Sequence, residues 1–266
     1  RKISFGFLIV LSVAEWGLVS VLDVALYDTA FLTGWTLAAV MVLLTAFNGK
    51  KKIPFMPIGT GAQWLQFHIY AGLFTCLLFG LHVDWRVPIG NFEALITIVF
   101  VIVSASGVIG LVLSRTIPPR LTTKGETILF DRIPILIADL RKECEALVLE
   151  SVEETDSRTV ADFYVKRLSP FFQETNHALS HILLSDRPLR AMIDEIHALE
   201  RFATDREEEF LEELAERVRQ KSHLDYQYSL QAVLKGWLFV HIPATFALLL
   251  MVVVHVIDVH AFDGGL

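Results

Sequence analysis

The chain has 266 residues, of which 53% are hydrophobic and 20% charged, and a formal net charge of −7. That apolar share, with a mean hydropathy of +0.51, exceeds what a soluble globular domain carries and indicates a membrane protein with a soluble part. The two cysteines, Cys76 and Cys144, stand far apart and exclude a disulfide framework, and there is no CxxCH haem-attachment motif.

In chain order, apolar runs cover 3–22, 31–47, 63–83, 92–114 and 236–257. Each approaches or exceeds the roughly 20 residues that cross a bilayer as a helix. The first lacks a small-x-small cleavage site before the next run, so it reads as a retained span rather than a signal peptide. The second is short and can extend backward through Asp28. The third contains "HIYAGLFTCLLFGLH", from His68 to His82. The fourth contains "SASGVIG", with Ser104, Gly107 and Gly110 near one side, and leaves through "SRTIPPRL". The fifth contains "HIPATFALLLMVVVH", from His241 to His255, and Pro243 inside it can kink the helix, as membrane helices tolerate.

Between the fourth and fifth runs, residues 115–230 hold 16 Lys+Arg and 23 Asp+Glu, so the whole net charge resides there. Apolar residues recur there at three and four, the helical period, as at Ile193, Ile196, Leu199 and Phe202. Pro134 and Pro188 suit first-turn positions, with Asp131 and either Ser185 or Asp186 as caps. A helical hairpin or three-helix domain is expected, and its last helix can run on into the fifth span. The fold class is therefore all-α. Four spans occupy 1–114, an acidic helical insert 115–230, and a fifth span with its outer tail 231–266.

Basic residues set the orientation. Arg1 and Lys2 precede the first span, Lys50, Lys51 and Lys52 follow the second, and Arg115 and Arg120 follow the fourth. Asp23, Asp28, Asp84, Glu93, Asp258 and Asp263 fall on the other side, with Arg86 as the one basic exception. The N-terminus and the insert are expected in the cytoplasm and the C-terminus in the periplasm, at a bacterial inner membrane. The chain begins without Met, and Gly264 and Gly265 near its end resemble the start of a linker. A piece of a longer protein is expected.

The histidines carry the functional argument. His68 and His82 are fourteen apart, as are His241 and His255, and no other two of the nine histidines share that separation. Fourteen residues give about 21 Å of rise and four turns less about 40°, a drift that a slight left-handed supercoil removes. Both members of a pair then face one way, near opposite surfaces. The third and fifth spans run in the same direction, so His68 meets His241 at the cytoplasmic level and His82 meets His255 at the outer level. Two facing imidazoles can ligate one haem iron axially. The competing account is four separate intramembrane histidines, each bonded to a neighbouring helix. Ionisable groups in spans are rare and usually functional, and the matched pairs favour ligation. Zinc would need three or four ligands together, and no intramembrane carboxylate stands between the pairs. Gly72, one turn above His68, and Gly107 offer room for a flat ring, although small residues also mark ordinary close helix contacts. Arg86 on the outer side, and Arg115, Arg120 and Lys235 on the inner side, are candidates for pairing with propionates.

These two H-x13-H patterns, with the "SGVIGLVLSRTIPPRL" exit of the fourth span, resemble the membrane di-haem cytochrome b superfamily, which includes b561-type cytochromes and ferric-reductase-like cores. The likeness covers about 63–120 and 236–260 and implies that His68, His82, His241 and His255 are the ligands of two low-spin haem b groups. The acidic insert is not part of that common core. There is no GxGxxG for a flavin or nicotinamide partner and no PEWY-like quinol-site stretch.

Six-coordinate iron has no open position, so an electron carrier is expected rather than a haem catalyst. Its partners would be redox proteins, such as a multihaem c-type cytochrome or an iron–sulfur subunit, or a quinone, in a lipid bilayer and with no nucleic acid. A quinone-reactive subunit, a haem or redox sensor with a cytoplasmic helical relay, and a structural anchor are the alternatives. His177 and His181 have i,i+4 metal spacing but no supporting context, and His197 and His223 are isolated. The run "DREEEFLEELAERVRQ" reads as a solvated helix laced with ion pairs, or as a docking face for a basic partner.

Overall fold

The structure, a computed structural model, describes residues 2–25, 29–52, 59–123, 126–173 and 186–262. Asp28, His177, His181, Ser185, Asp263, Gly264 and Gly265 lie outside them. The described residues form helices and no strand. The chain divides into two compact units, Arg1–Val112 with Trp237–Leu266, and Leu113–Gly236.

The first unit is built on α1 (Lys2–Val24), α2 (Thr29–Lys52), α3 (Gly61–His82), the first part of α4 (Asn91–Thr123) and the last part of α9 (Asp205–Phe262). Among the described residues, three helices carry windows long and apolar enough to cross a membrane, in Gly61–His82, Asn91–Thr122 and Asp205–Ala261. Shorter apolar helices occupy Leu8–Leu22 and Thr29–Thr45. Large apolar side chains such as Val13, Trp16, Ile98, Phe239 and Leu250 stay exposed on these helices, which is compatible with a membrane protein.

Thr60 starts α3 with a reciprocal cap. Its hydroxyl accepts from the Gln63 N–H and its own N–H donates to the Gln63 side chain, which satisfies two amides that the first turn leaves over. Past His82 the chain turns sharply, with Asp84 and Trp85 in the left-handed region. Trp85 folds back over Gly80, where a Cβ would stand 2.6 Å from its ring. The core of this unit joins Leu37 and Met41 of α2, Leu78 of α3, Phe100 of α4 and Leu248 of α9. Phe79 and Phe100 stack with centroids 4.2 Å apart. Leu248, 2% exposed, is seven residues from both His241 and His255, so the middle of that helix is packed with hydrocarbon.

The second unit holds the last part of α4, a 3-10 turn (Phe130–Arg132), α5 (Ile133–Thr155), α6 (Thr159–Phe163), a π-helical turn (Tyr164–Leu168), α7 (Ser169–Gln173), α8 (Arg187–Glu200) and the first part of α9. Cys144, Leu168, Ile196, Leu211, Leu214 and Val218 are fully buried in its core. Burial pushes the Cys144 thiol up to about 12, so it acts as a small apolar group. Ile193 and Leu199 pack on this core beside Ile196, but Phe202 is 84% exposed, because it lies beyond the end of α8. Asp131 does not cap α5. It sits in the preceding 3-10 turn and pairs with Lys235 at 3.2 Å, while Arg132 takes the N-cap position. Asp186 takes the N-cap position of α8, ahead of Pro188 in the first turn.

α9 begins with a capping arrangement of Thr204 and Glu207 and continues without interruption for 58 residues, with Pro243 inside it. The expectation that the last helix of the insert continues into the fifth apolar run holds. Its charged first third is tied by ion pairs: Arg206 to Glu154 and Glu209, Arg217 to Glu143, and Arg219 to Glu212 and Glu216.

Candidate functional site

All four histidines of the matched pairs lie in the first unit and are half-buried. On α3, His68 places Nδ1 3.2 Å from the Leu44 carbonyl and His82 places Nδ1 3.0 Å from the Ala30 carbonyl. Those two carbonyls are themselves fourteen residues apart on α2. One antiparallel helix therefore receives both rings at the same repeat. A carbonyl only accepts, so Nδ1 carries the proton in both rings and Nε2 keeps its lone pair.

Gly34 makes the contact at His82 possible. A Cβ there would stand 2.9 Å from the ring's Cε1. Gly34 is also the residue whose N–H follows Ala30 by one helical turn, so the imidazole lies where a side chain would shield that carbonyl.

On α9, His241 faces α4. Its Nδ1 is 2.6 Å from the Ser106 Oγ. The Ser106 hydroxyl donates to the Val103 carbonyl at 2.8 Å. With its one proton used there, Oγ accepts from His241, which puts this ring in the same tautomer. Trp237, one turn earlier, stacks on His241 with centroids 5.3 Å apart and donates its indole N–H to the Ser106 carbonyl at 2.8 Å. His255 differs, since its Nδ1 is buried with no hydrogen-bond partner among the described residues.

His82 and His255 are neighbours across the bundle, with ring centroids 6.3 Å apart and planes at 85°. A metal held end-on by two imidazoles at about 2 Å from each nitrogen separates their centroids by roughly 6 Å. Both rings line a cavity of about 320 Å³ together with Phe31, Trp35, Phe100 and Glu93. No group of three or more His, Cys, Asp or Glu suited to a metal ion occurs among the described residues. The neighbouring pair His82 and His255 falls below that count, and a porphyrin would supply four further donors itself. The donor set therefore fits an axially held iron rather than a protein-only metal cage.

The small residues of α4 prove to have specific neighbours. A Cβ on Gly107 would lie 3.8 Å from His241 Cε1, and one on Gly110 would collide with the Trp237 ring. Gly72 differs, since a Cβ there would meet nothing within 4 Å, which leaves open space one turn from His68. Arg86 is 81% exposed and pairs with Asp84 at 3.0 Å. Arg115 is exposed on α4 and belongs, with Arg120 and Lys235, to the second unit. Lys235 is occupied by Asp131 and lies over the Phe130 ring. His197 is exposed on α8, and His223 bonds to Gln227 at 2.9 Å.

Four residues are absent from the sequence reasoning. Ser106 and Gly34 carry no motif, because their roles depend on which helix lies opposite. Glu15 was legible, as a carboxylate in the apolar stretch Leu8–Leu22. Its Oε1 is buried without a hydrogen-bond partner among the described residues, so the apolar helices do contain a carboxylate. His260 closes the same cavity as His82 and His255, with its ring 5.7 Å from Trp35 and 5.9 Å from Phe31. No family model, curated protein or solved structure matches this chain.

Proposed function

We propose that the chain is a membrane b-type cytochrome that carries electrons across a bilayer as a subunit of a larger electron-transfer complex. Two haems are held by His68 with His241 and by His82 with His255. The observation that carries this reading is the shared use of Nδ1. Three of the four rings engage an oxygen through that atom, which makes Nε2 the nitrogen with the lone pair that a metal would take. Ligating histidines typically hold their second nitrogen in this way, and the competing account of separately bonded histidines gives no reason for the fourteen-residue repeat that His68 and His82 share with Leu44 and Ala30. The 6.3 Å spacing of His82 and His255 supports the same reading.

Bound haem supplies one-electron chemistry. The chain's own part is to orient four imidazoles, exclude water with the Leu78–Phe100–Leu248 core between the levels, and offer Arg86 to an anionic edge. In the full topology five helices cross the membrane. The N-terminus and the acidic second unit lie in the cytoplasm, and the C-terminus in the periplasm of a bacterial inner membrane. Electrons enter and leave through redox protein partners, with a quinone as the other candidate.

The test is a pyridine haemochrome assay and a dithionite-reduced spectrum of the purified chain. About two non-covalent low-spin b haems per chain are expected, and one after His68→Ala, His241→Ala, His82→Ala or His255→Ala. A chain without haem, or with covalent c-type haem, overturns the reading.

A further inference from the structure

The two histidine levels are held differently. At the level of His68 and His241 both rings donate from Nδ1, one to the Leu44 carbonyl and one to the Ser106 hydroxyl oxygen. At the level of His82 and His255 only His82 donates, to the Ala30 carbonyl. The buried Nδ1 of His255 has no hydrogen-bond partner among the described residues.

We infer that Ser106 is a positioning residue that makes His241 the more electron-rich ligand and so lowers the reduction potential of its own level alone. This rests on the di-haem reading.

The physical chain is short. An imidazole whose second nitrogen donates to an acceptor becomes a more basic ligand. A more basic axial ligand stabilises the higher charge of ferric iron over ferrous iron, so the iron is harder to reduce. The acceptor is built rather than incidental. Ser106 is 9% exposed, so no bulk water competes for its oxygen. Its hydroxyl lies 2.8 Å from the Val103 carbonyl, and with the proton directed there Oγ is the acceptor toward His241. Its backbone carbonyl also holds the Trp237 indole, and that indole stacks on the His241 ring. Gly110 keeps this corner free of a side chain that would collide with the indole, while a Cβ on Gly107 would stand 3.8 Å from His241 Cε1, at ordinary contact distance. Hydroxyl, indole and Gly110 thus hold one orientation of His241, whereas the Nδ1 of His255 has no hydrogen-bond partner among the described residues. The inequality contributes to the difference in potential between the levels.

The test is a redox titration of the purified chain followed by optical and EPR spectra. It compares the wild type with Ser106→Ala, Ser106→Thr and Ser106→Cys, with the levels assigned by His241→Ala and His255→Ala. The Ser106→Ala protein should keep two haems. The component that disappears in His241→Ala should titrate at higher potential, while the other stays in place. The Thr variant, which keeps the hydroxyl, should return to the wild-type value. The Cys variant keeps the volume but accepts weakly, so it should shift in the same direction as Ala. If Ser106→Ala does not hold haem, the Thr and Cys variants alone decide. Equal potentials in wild type, Ala and Cys proteins that each carry two haems would sink the inference and leave the di-haem reading intact. A shift confined to the His255 component would do the same. A wild-type chain without haem overturns the reading itself and the inference with it.

Discussion

Gly34 tests the outer level at a single atom. The added Cβ of Gly34→Ala would press on the His82 ring at 2.9 Å, a separation that forces something to move. The ring is the movable part, and to move it must give up its bond to the Ala30 carbonyl. Gly34→Ala is expected to broaden or shift the spectrum of the His82/His255 component only, and Gly34→Val to lower its occupancy. Visible and EPR spectra of the purified variants check this, and an effect on the His68/His241 component would contradict the placement. Gly17→Ala, on a helix that carries none of the four histidines, serves as the control, since a Cβ there meets nothing within 4 Å and both components should stay in place.

At the scale of the element, α9 carries the least expected feature of the second unit, a fully buried ion pair. Lys221 is 0% exposed and Asp225 1% exposed, one helical turn apart. The ammonium also lies 4.3 Å from the centre of the Phe171 ring, and Asp225 Oδ1 has no hydrogen-bond partner among the described residues. Burial pushes the Asp225 carboxyl up to about 6 and draws Lys221 below its usual range, in each case against the attraction of the partner. Desolvation therefore outweighs the pairing. Removing one charge, as in Lys221→Met, should cost about 3–5 kcal/mol, whereas Lys221→Met with Asp225→Leu should be neutral or stabilising by roughly 1–4 kcal/mol. Thermal unfolding in detergent distinguishes the two. The pH dependence has a definite sign. A carboxyl raised in the folded state binds its proton more tightly there, so its contribution is present in full below the unfolded value near 3.8 and is lost as pH rises through about 6. Asp225→Asn should flatten that slope between those limits. An unchanged slope would mean that another group sets it.

For the whole molecule the prediction concerns sidedness. If the basic flanks are read correctly, a protease added to intact spheroplasts should leave residues 126–173 uncut and should cut them once the membrane is opened. Cleavage in the intact preparation would reverse the orientation. The acidic unit is not suited to anionic headgroups, which attract basic segments, so its apolar residues turn inward on Cys144, Leu168 and Leu214. Leu129, Ile135, Leu149, Val165 and Phe202 are exposed on its surface.

Much of this was legible in the sequence because the signals are local and periodic. Helical class follows from apolar residues repeating every three or four positions. Long apolar stretches in α3, α4 and α9 follow from composition, and the equal fourteen-residue spacing of the histidines follows from helix geometry. The cap at Thr60 could also be read, as Thr-x-x-Gln. What the sequence could not hold is partnership across helices. Whether Asp131 caps its own helix or pairs with Lys235, whether Gly110 makes room for a cofactor or for Trp237, and whether Ser106 bonds to its own helix or to His241 all depend on the residue that arrives from a distant segment. Single-chain periodicity tells which face a residue occupies. Only the packing of α2 against α3, and of α4 against α9, decides which oxygen lies within hydrogen-bonding distance of each imidazole. That distance, about 3 Å for a useful bond, is far finer than the helical turn that a sequence pattern can resolve.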